Sequence, residues 1–250
     1  MDSLTLLLAF IISFGTLFVG AISGGVGLVL RPLLIFLGFP ASIVVGSVRV
    51  SSIFGEIPTI YLLHKSRKID WNLVLFLVVP MFIGSLIAGF VIISLVESFL
   101  EKMIGIMLLV VGVILLVKRN AGLKEEGFKF SKGKSNIIGF FGTIIISFFN
   151  TITGGMGPMF SSLYIADYGK SYISASALGK TTSYIGTGIA SILFIVRGVI
   201  DWKLFAVVVP GFLLGSYFGT HFGLKKVEKW IKFLVLVVVF ASAIKILFFN

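Results

Sequence analysis

The 250-residue sequence contains no cysteine. Disulfides, thiolate metal sites and thiol redox relays are therefore excluded. Charge is scarce too: 12% of residues are Asp, Glu, Lys or Arg, about half the share found in ordinary soluble domains. Acidic residues number ten and histidines two. The remainder is strongly apolar, with 58% hydrophobic residues and a mean hydropathy of +1.13. A soluble fold of this size could not bury so much apolar surface, so composition excludes a soluble enzyme and a disordered protein. The apolar runs are unbroken, unlike the alternating strands of a membrane β-barrel. The sequence describes an all-α polytopic membrane protein.

The net charge of +11 comes from 21 Lys and Arg. On a soluble protein it would suggest nucleic acid as partner. Here the basic residues lie in short loops between apolar segments, which reads as membrane topology and contact with anionic lipid. The first segment has no basic leading region and is expected not to be a cleaved signal peptide.

A crossing helix needs about 20 apolar residues. Charge-poor runs predict eight crossings, near 4–22, 41–63, 72–95, 98–117, 136–153, 171–196, 203–223 and 229–248. Even-numbered loops then hold eleven Lys and Arg against six on the other side. The positive-inside rule on this count places both termini and the central linker in the cytoplasm of a cell whose plasma membrane holds the chain.

Two glycine-rich breaks interrupt the scheme. Ser23-Gly24-Gly25-Val26-Gly27 precedes a short apolar piece ending at Phe39-Pro40, and Thr153-Gly154-Gly155-Met156-Gly157-Pro158 precedes another ending near Tyr168. Neither piece is long enough to cross alone. Clustered glycines disfavour helix, so both breaks are expected to be broken or re-entrant segments, lining a cavity or buried in protein.

The breaks belong to an internal repeat. Gly20–Gly27 aligns with Asn150–Gly157 at a shift of 130, and Ile69-Asp70-Trp71 aligns with Ile200-Asp201-Trp202 at 131. Gly84-Ser85 and Val96-Glu97 recur at the same 131 shift. The expected organisation is a first repeat over 1–117, a basic cytoplasmic linker over 118–135 and a second repeat over 136–250. Each repeat has four helices, and the site is expected near mid-membrane where the repeats meet. An even number of crossings per half makes the repeats parallel, an odd number inverted.

Within the spans, buried charge marks function. Arg49 lies nine residues past Pro40 inside an apolar helix, and its repeat counterpart is Lys180. Arg49 is followed by Ser51 and Ser52, and Lys180 by Thr181, Thr182 and Ser183. Two basic groups flanked by hydroxyls suit a small oxyanion. Gly24, Gly25, Gly27, Gly154, Gly155 and Gly157 are expected to supply backbone donors, because half-helix N-termini attract anions. Asn150 opens the second break and is placed with them. Glu56 is the candidate proton carrier, although its position two turns beyond Arg49 equally allows a structural pair. Arg31 has no basic counterpart and lines an access path or snorkels. No nucleotide loop, zinc spacing or nucleophile–base set is present, so neither catalysis nor a cofactor is expected.

The glycine-rich break after the first helix (Gly20–Gly27, then Pro32), the small-residue stretch Gly46-Ser47 and the Ile69-Asp70-Trp71 element all recur in the second half. This order and duplication resembles the sulfite exporter TauE/SafE family, also called the toluene-sulfonate uptake permease family. The resemblance implies a secondary transporter for small sulfur-containing or organic anions such as sulfite or sulfonates. The other readings of the residues are an anion channel through the same pore and a non-transporting membrane scaffold.

Overall fold

The computed structural model describes residues 3–21, 26–117 and 131–223. All regular structure there is α-helical: α1 (Ser3–Gly20), α2 (Val26–Phe36), α3 (Ala41–Gly55), α4 (Ile57–Lys65), α5 (Trp71–Ser94), α6 (Glu97–Val117), α7 (Lys132–Thr153), α8 (Gly157–Tyr168), α9 (Tyr172–Val196) and α10 (Trp202–Gly223). Five stretches are long and apolar enough to cross a membrane: Ser3–Gly20, Ala41–Lys65, Trp71–Ser94, Gly133–Thr153 and Trp202–Phe222. The crossing predicted at 229–248, Gly24, Gly25 and most of the linker lie outside the described residues.

Local chemistry sets the helix ends. Asp70 caps α5, its carboxylate accepting from the Leu73 N–H at 3.2 Å. Asp201 does the same for α10 through the Leu204 N–H at 3.0 Å. Ser171 caps α9 through the Ser174 N–H. At Gly154 the backbone turns left-handed (φ +69°) and stops α7. Such a φ is costly for residues with a Cβ. Pro58 lies in the first turn of α4, where its missing N–H breaks the ladder carried from α3.

Side-chain registers fix the helix directions. Gly211, Gly215 and Gly219 of α10 lie successively against Phe10–Phe14, Phe14–Phe18 and Phe18 of α1, so these helices are parallel. Gly46 meets Val199, Gly55 meets Phe212 and Thr59 bonds Thr220, so α3–α4 run the same way as α10. Phe76 with Phe140, Gly84 with Ile144 and Ser147, and Ser85 with Thr151 make α5 parallel to α7. Gly186 with Met81 and Gly89 with Leu193 make α9 parallel to α5.

The helix ends therefore collect on two faces. One holds the starts of α1, α3, α6 and α10. The Glu97 carboxylate accepts from the Ser42 N–H there, and the Ser47 hydroxyl accepts from the Asp201 N–H. The second face holds Lys65–Trp71, the start of α7 and the end of α8. The Lys170–Asp70 ion pair, at 2.8 Å, ties it together. That pair corrects the loop count made from sequence, which had set Lys170 opposite Asp70. The error arose because 136–153 was counted as a full crossing with the chain left on its far side, whereas α8 brings the chain back to the face where α7 starts. This short helix returns antiparallel along α7, with Leu163 against Gly142, Tyr164 against Thr143 and the Asp167 carbonyl against Ser135.

The short helix α2 likewise folds back on α1, so α1–α2 and α7–α8 are two hairpins entering from opposite faces. Their tips meet: the Gly27 N–H donates to the Gly154 carbonyl at 3.0 Å. A Cβ on Gly27 would lie 2.5 Å from the Gly154 backbone, so close backbone approach demands glycine there.

Candidate functional site

The hairpin tips border a cavity of about 70 Å³. At roughly 10–15 Å³ per water, it has room for a few waters or one small oxyanion. Around it stand Gly27 and Arg31 of the first hairpin, Arg49, Ser52 and Glu56 near the α3–α4 junction, Asn150, Gly154 and Gly157 of the second hairpin, and Lys180 and Ser183 of α9. Leu17, Phe160 and Phe212 give it apolar walls. Three cations face one carboxylate, so the lining is electropositive.

Arg49 is 6% exposed. One guanidinium nitrogen donates to the Asn150 carbonyl at 2.6 Å and another to the Thr187 hydroxyl at 3.4 Å, while Nε has no partner. Thr187 is the repeat counterpart of Glu56. The anchor of Arg49 is thus the C-terminal end of α7 and the other half of the chain. Glu56 forms no ion pair with it among the described residues, yet acts electrostatically on both Arg49 and Lys180.

Arg31 is 1% exposed and donates to the Thr151 and Ile152 carbonyls. Two arginines from the first half therefore hold the carbonyl end of α7, where a cation suits the helix dipole. Sequence reasoning left the role of Arg31 open between access path and snorkelling. The structure buries it against Gly154, where a Cβ would lie 2.8 Å from the guanidinium carbon.

Lys180 is half-buried and makes no hydrogen bond or ion pair among the described residues. Its helix presents Ser176, Gly179, Lys180 and Ser183 to the cavity. These positions repeat at three and four residues and so share one face. That spacing is the sequence signal for Ser176, which adjacency to Lys180 does not reveal.

The other predicted residues divide. Ser52 lines the cavity and donates to the Arg49 carbonyl at 2.7 Å. Ser51, Thr181 and Thr182 are fully buried and absent from the lining. Their hydroxyls have no hydrogen-bond partner among the described residues. Gly155 packs against Leu28 instead of the cavity. Asn150 braces the break, its side-chain oxygen accepting from the Met156 N–H at 3.1 Å and its amide donating to Ser183 at 3.4 Å. Gly157 starts α8 at the cavity edge, so the positive end of that helix also borders it.

The family model described as Sulfite exporter TauE/SafE matches residues 8–246. A Haemophilus influenzae protein described as "Probable membrane transporter protein" is 24% identical over 245 residues, covering 97% of this chain and 94% of its own. A Sinorhizobium protein described as "Probable membrane transporter protein ORF9" is 23% identical over 248 residues, covering 95% and 90%. No solved structure matches. A match over nearly the whole chain, on a helical fold with several membrane-length segments, shows that the chain belongs to the sulfite exporter TauE/SafE family of membrane transporters.

Proposed function

We propose that the chain is a secondary transporter of small sulfur-containing or organic anions, such as sulfite or a sulfonate, and not an enzyme. The observation that carries this reading is the electropositive cavity at the meeting point of two hairpins that enter from opposite faces. Lys180 and the free Nε of Arg49 supply charge-assisted donors, Ser52 and Ser183 orient the ligand, and the start of α8 adds backbone dipole. Glu56, facing both cations, is the residue of this site suited to carry a coupling proton. The two halves act as inverted repeats, each a hairpin followed by crossing helices, and alternating access comes from one rocking against the other.

This arrangement reassigns the loops. Segments joining described helices on the second face carry ten Lys and Arg, against three on the first face. The positive-inside rule makes the second face cytoplasmic in the plasma membrane. The amino terminus then lies outside, as does the carboxyl terminus after the proposed last crossing.

Uptake of labelled sulfite, sulfate, thiosulfate, a sulfonate and a carboxylate into proteoliposomes tests the reading, with and without a pH gradient. Saturable uptake of a sulfur oxyanion without single-channel currents is expected. Currents would mark a channel. No uptake by folded, inserted protein would overturn the assigned substrate class.

A further inference from the structure

A second acidic group lies in α8, toward the face opposite the hairpin tip. Asp167 is 2% exposed, and neither carboxylate oxygen has a hydrogen-bond partner among the described residues. The polar groups nearest it are Ser135 and the Gly139 amide of α7. The Ser135 hydroxyl is engaged by the Asp167 carbonyl at 3.2 Å, and the Gly139 amide belongs to the interior of α7. The other ionisable groups on the elements packed here are Tyr164 and Tyr168 of α8, Lys134 of α7, Tyr172 of α9, and Lys170, which is paired with Asp70. No ion pair reaches Asp167 among the described residues.

An ionised carboxylate so placed loses much of its water and has only the nearby Ser135 hydroxyl and Gly139 amide, neither in good hydrogen-bonding geometry, to replace it. The neutral acid avoids this loss. The surface beneath is small and hydroxylated. Ser135, Gly139 and Thr143 lie four residues apart on one stripe of α7. A Cβ on Gly139 would overlap the Tyr168 hydroxyl, and Thr143 meets the Tyr164 hydroxyl at 3.2 Å. Small and hydroxylated residues thus hold α8 down, and the far end of α8 (Gly157 and Phe160) borders the anion cavity.

We propose that Asp167 is a proton-binding site that couples protonation to movement of α8. The carboxyl is protonated while α8 lies on α7. When α8 lifts, the O–H bond breaks, the proton passes to water at the second face, and the carboxylate is hydrated. Its use in transport rests on the transporter reading; its existence does not.

The natural absence of cysteine provides the test. In the full chain in vesicles, Ser135→Cys reports exposure of the α7–α8 contact to a small maleimide. Ser131→Cys, at an exposed position, corrects for thiol ionisation. Between about pH 5.5 and 8.5, the corrected labelling rate of Ser135→Cys is expected to rise by up to about tenfold per pH unit, the limit for one linked proton. With Asp167→Asn added, it stays low and flat. An equal rise in the Asn variant, or no rise with Asp167 present, overturns the proposal.

A reporter-free measurement covers the case where Ser135→Cys fails to fold. Above about pH 4 the unfolded chain has lost this proton and the folded one keeps it, so stability falls as pH rises. Asp167→Asn should therefore gain thermal stability relative to the natural sequence with rising pH. Parallel pH profiles would overturn the site. Neither readout needs a substrate, so the site can stand when anion uptake fails, and uptake can stand when the site fails.

Discussion

At the residue scale, the two basic groups paired by sequence repeat have different attachments. Arg49 serves the scaffold, because it satisfies the Asn150 carbonyl at the end of α7. Arg49→Gln should lower both transport and stability, the latter by about 1.5–3 kcal/mol for the loss of a charged donor, since the Asn150 carbonyl keeps only the Gly154 N–H. Lys180 holds no such contact among the described residues. Lys180→Gln should leave the melting temperature nearly unchanged and cut apparent anion affinity by roughly 10- to 100-fold, the worth of one charge-assisted hydrogen bond. Paired uptake and thermal-unfolding curves check both, and equal stability losses would sink the distinction. The sequence made Arg49 and Lys180 legible because charge inside an apolar span is rare. It hid the role of Arg31, whose partners are backbone carbonyls 120 and 121 residues away, and carbonyls carry no sequence signature. It also overcounted hydroxyls: adjacency to Lys180 put Thr181 and Thr182 in the site, but successive helix residues point about 100° apart.

At the element scale, the seam between α1 and α10 depends on Gly211, Gly215 and Gly219, spaced by four. At Gly215 an added Cβ would lie 2.5 Å from the Phe14 carbonyl oxygen. In lipid, such close backbone packing replaces the hydrophobic drive between helices. Gly215→Leu should therefore separate the pair and lower the midpoint of unfolding markedly, whereas Gly15→Leu, at a position with open space around it, should change it little. The Asp70–Lys170 pair is a weaker fastening between α5 and the end of the second hairpin. Burial raises the Asp70 carboxyl, but hydrogen bonds from Lys170 and the Leu73 N–H outweigh this and hold it below its usual value. The folded chain thus binds this proton less readily than the unfolded one. The stabilisation is present above about pH 4 and is lost as pH falls through the depressed value. Lys170→Met should flatten that acid limb while costing less than about 1 kcal/mol at neutral pH, because the pair is partly exposed and screened. Melting curves from about pH 6 down to 3 measure both effects. The helices themselves were legible from apolar runs and from caps such as Asp70 and Asp201. What α8 does was not, since a twelve-residue piece after a glycine break reads equally as a short descent or a return.

At the scale of the whole molecule, that single ambiguity decides the topology. Counting 4–22 and 136–153 as full crossings leaves four spans per half and both termini on one side with the linker. Treating α7–α8 as a hairpin places Lys170 beside Asp70, and on the proposed topology each half has an odd number of crossings. The halves then invert, and the hairpin tips meet from opposite sides at Gly27 and Gly154. On the proposed topology the Lys and Arg of the segments between described helices also gather on one face. The consequence is measurable without any substrate. In the naturally cysteine-free chain, Arg67→Cys lies in the loop before α5 and Lys203→Cys in the first turn of α10, on opposite faces. In intact cells, an impermeant maleimide should label Lys203→Cys and spare Arg67→Cys until the membrane is opened. A cysteine added at the amino terminus should label with Lys203→Cys. Labelling of Arg67→Cys in sealed cells would reverse the orientation. Equal protection of Lys203→Cys and the amino-terminal thiol, with Arg67→Cys exposed, would retain the inverted fold in the opposite sense. An amino terminus that labels with Arg67→Cys would break the inversion itself, and with it the opposed hairpins on which the central anion site depends.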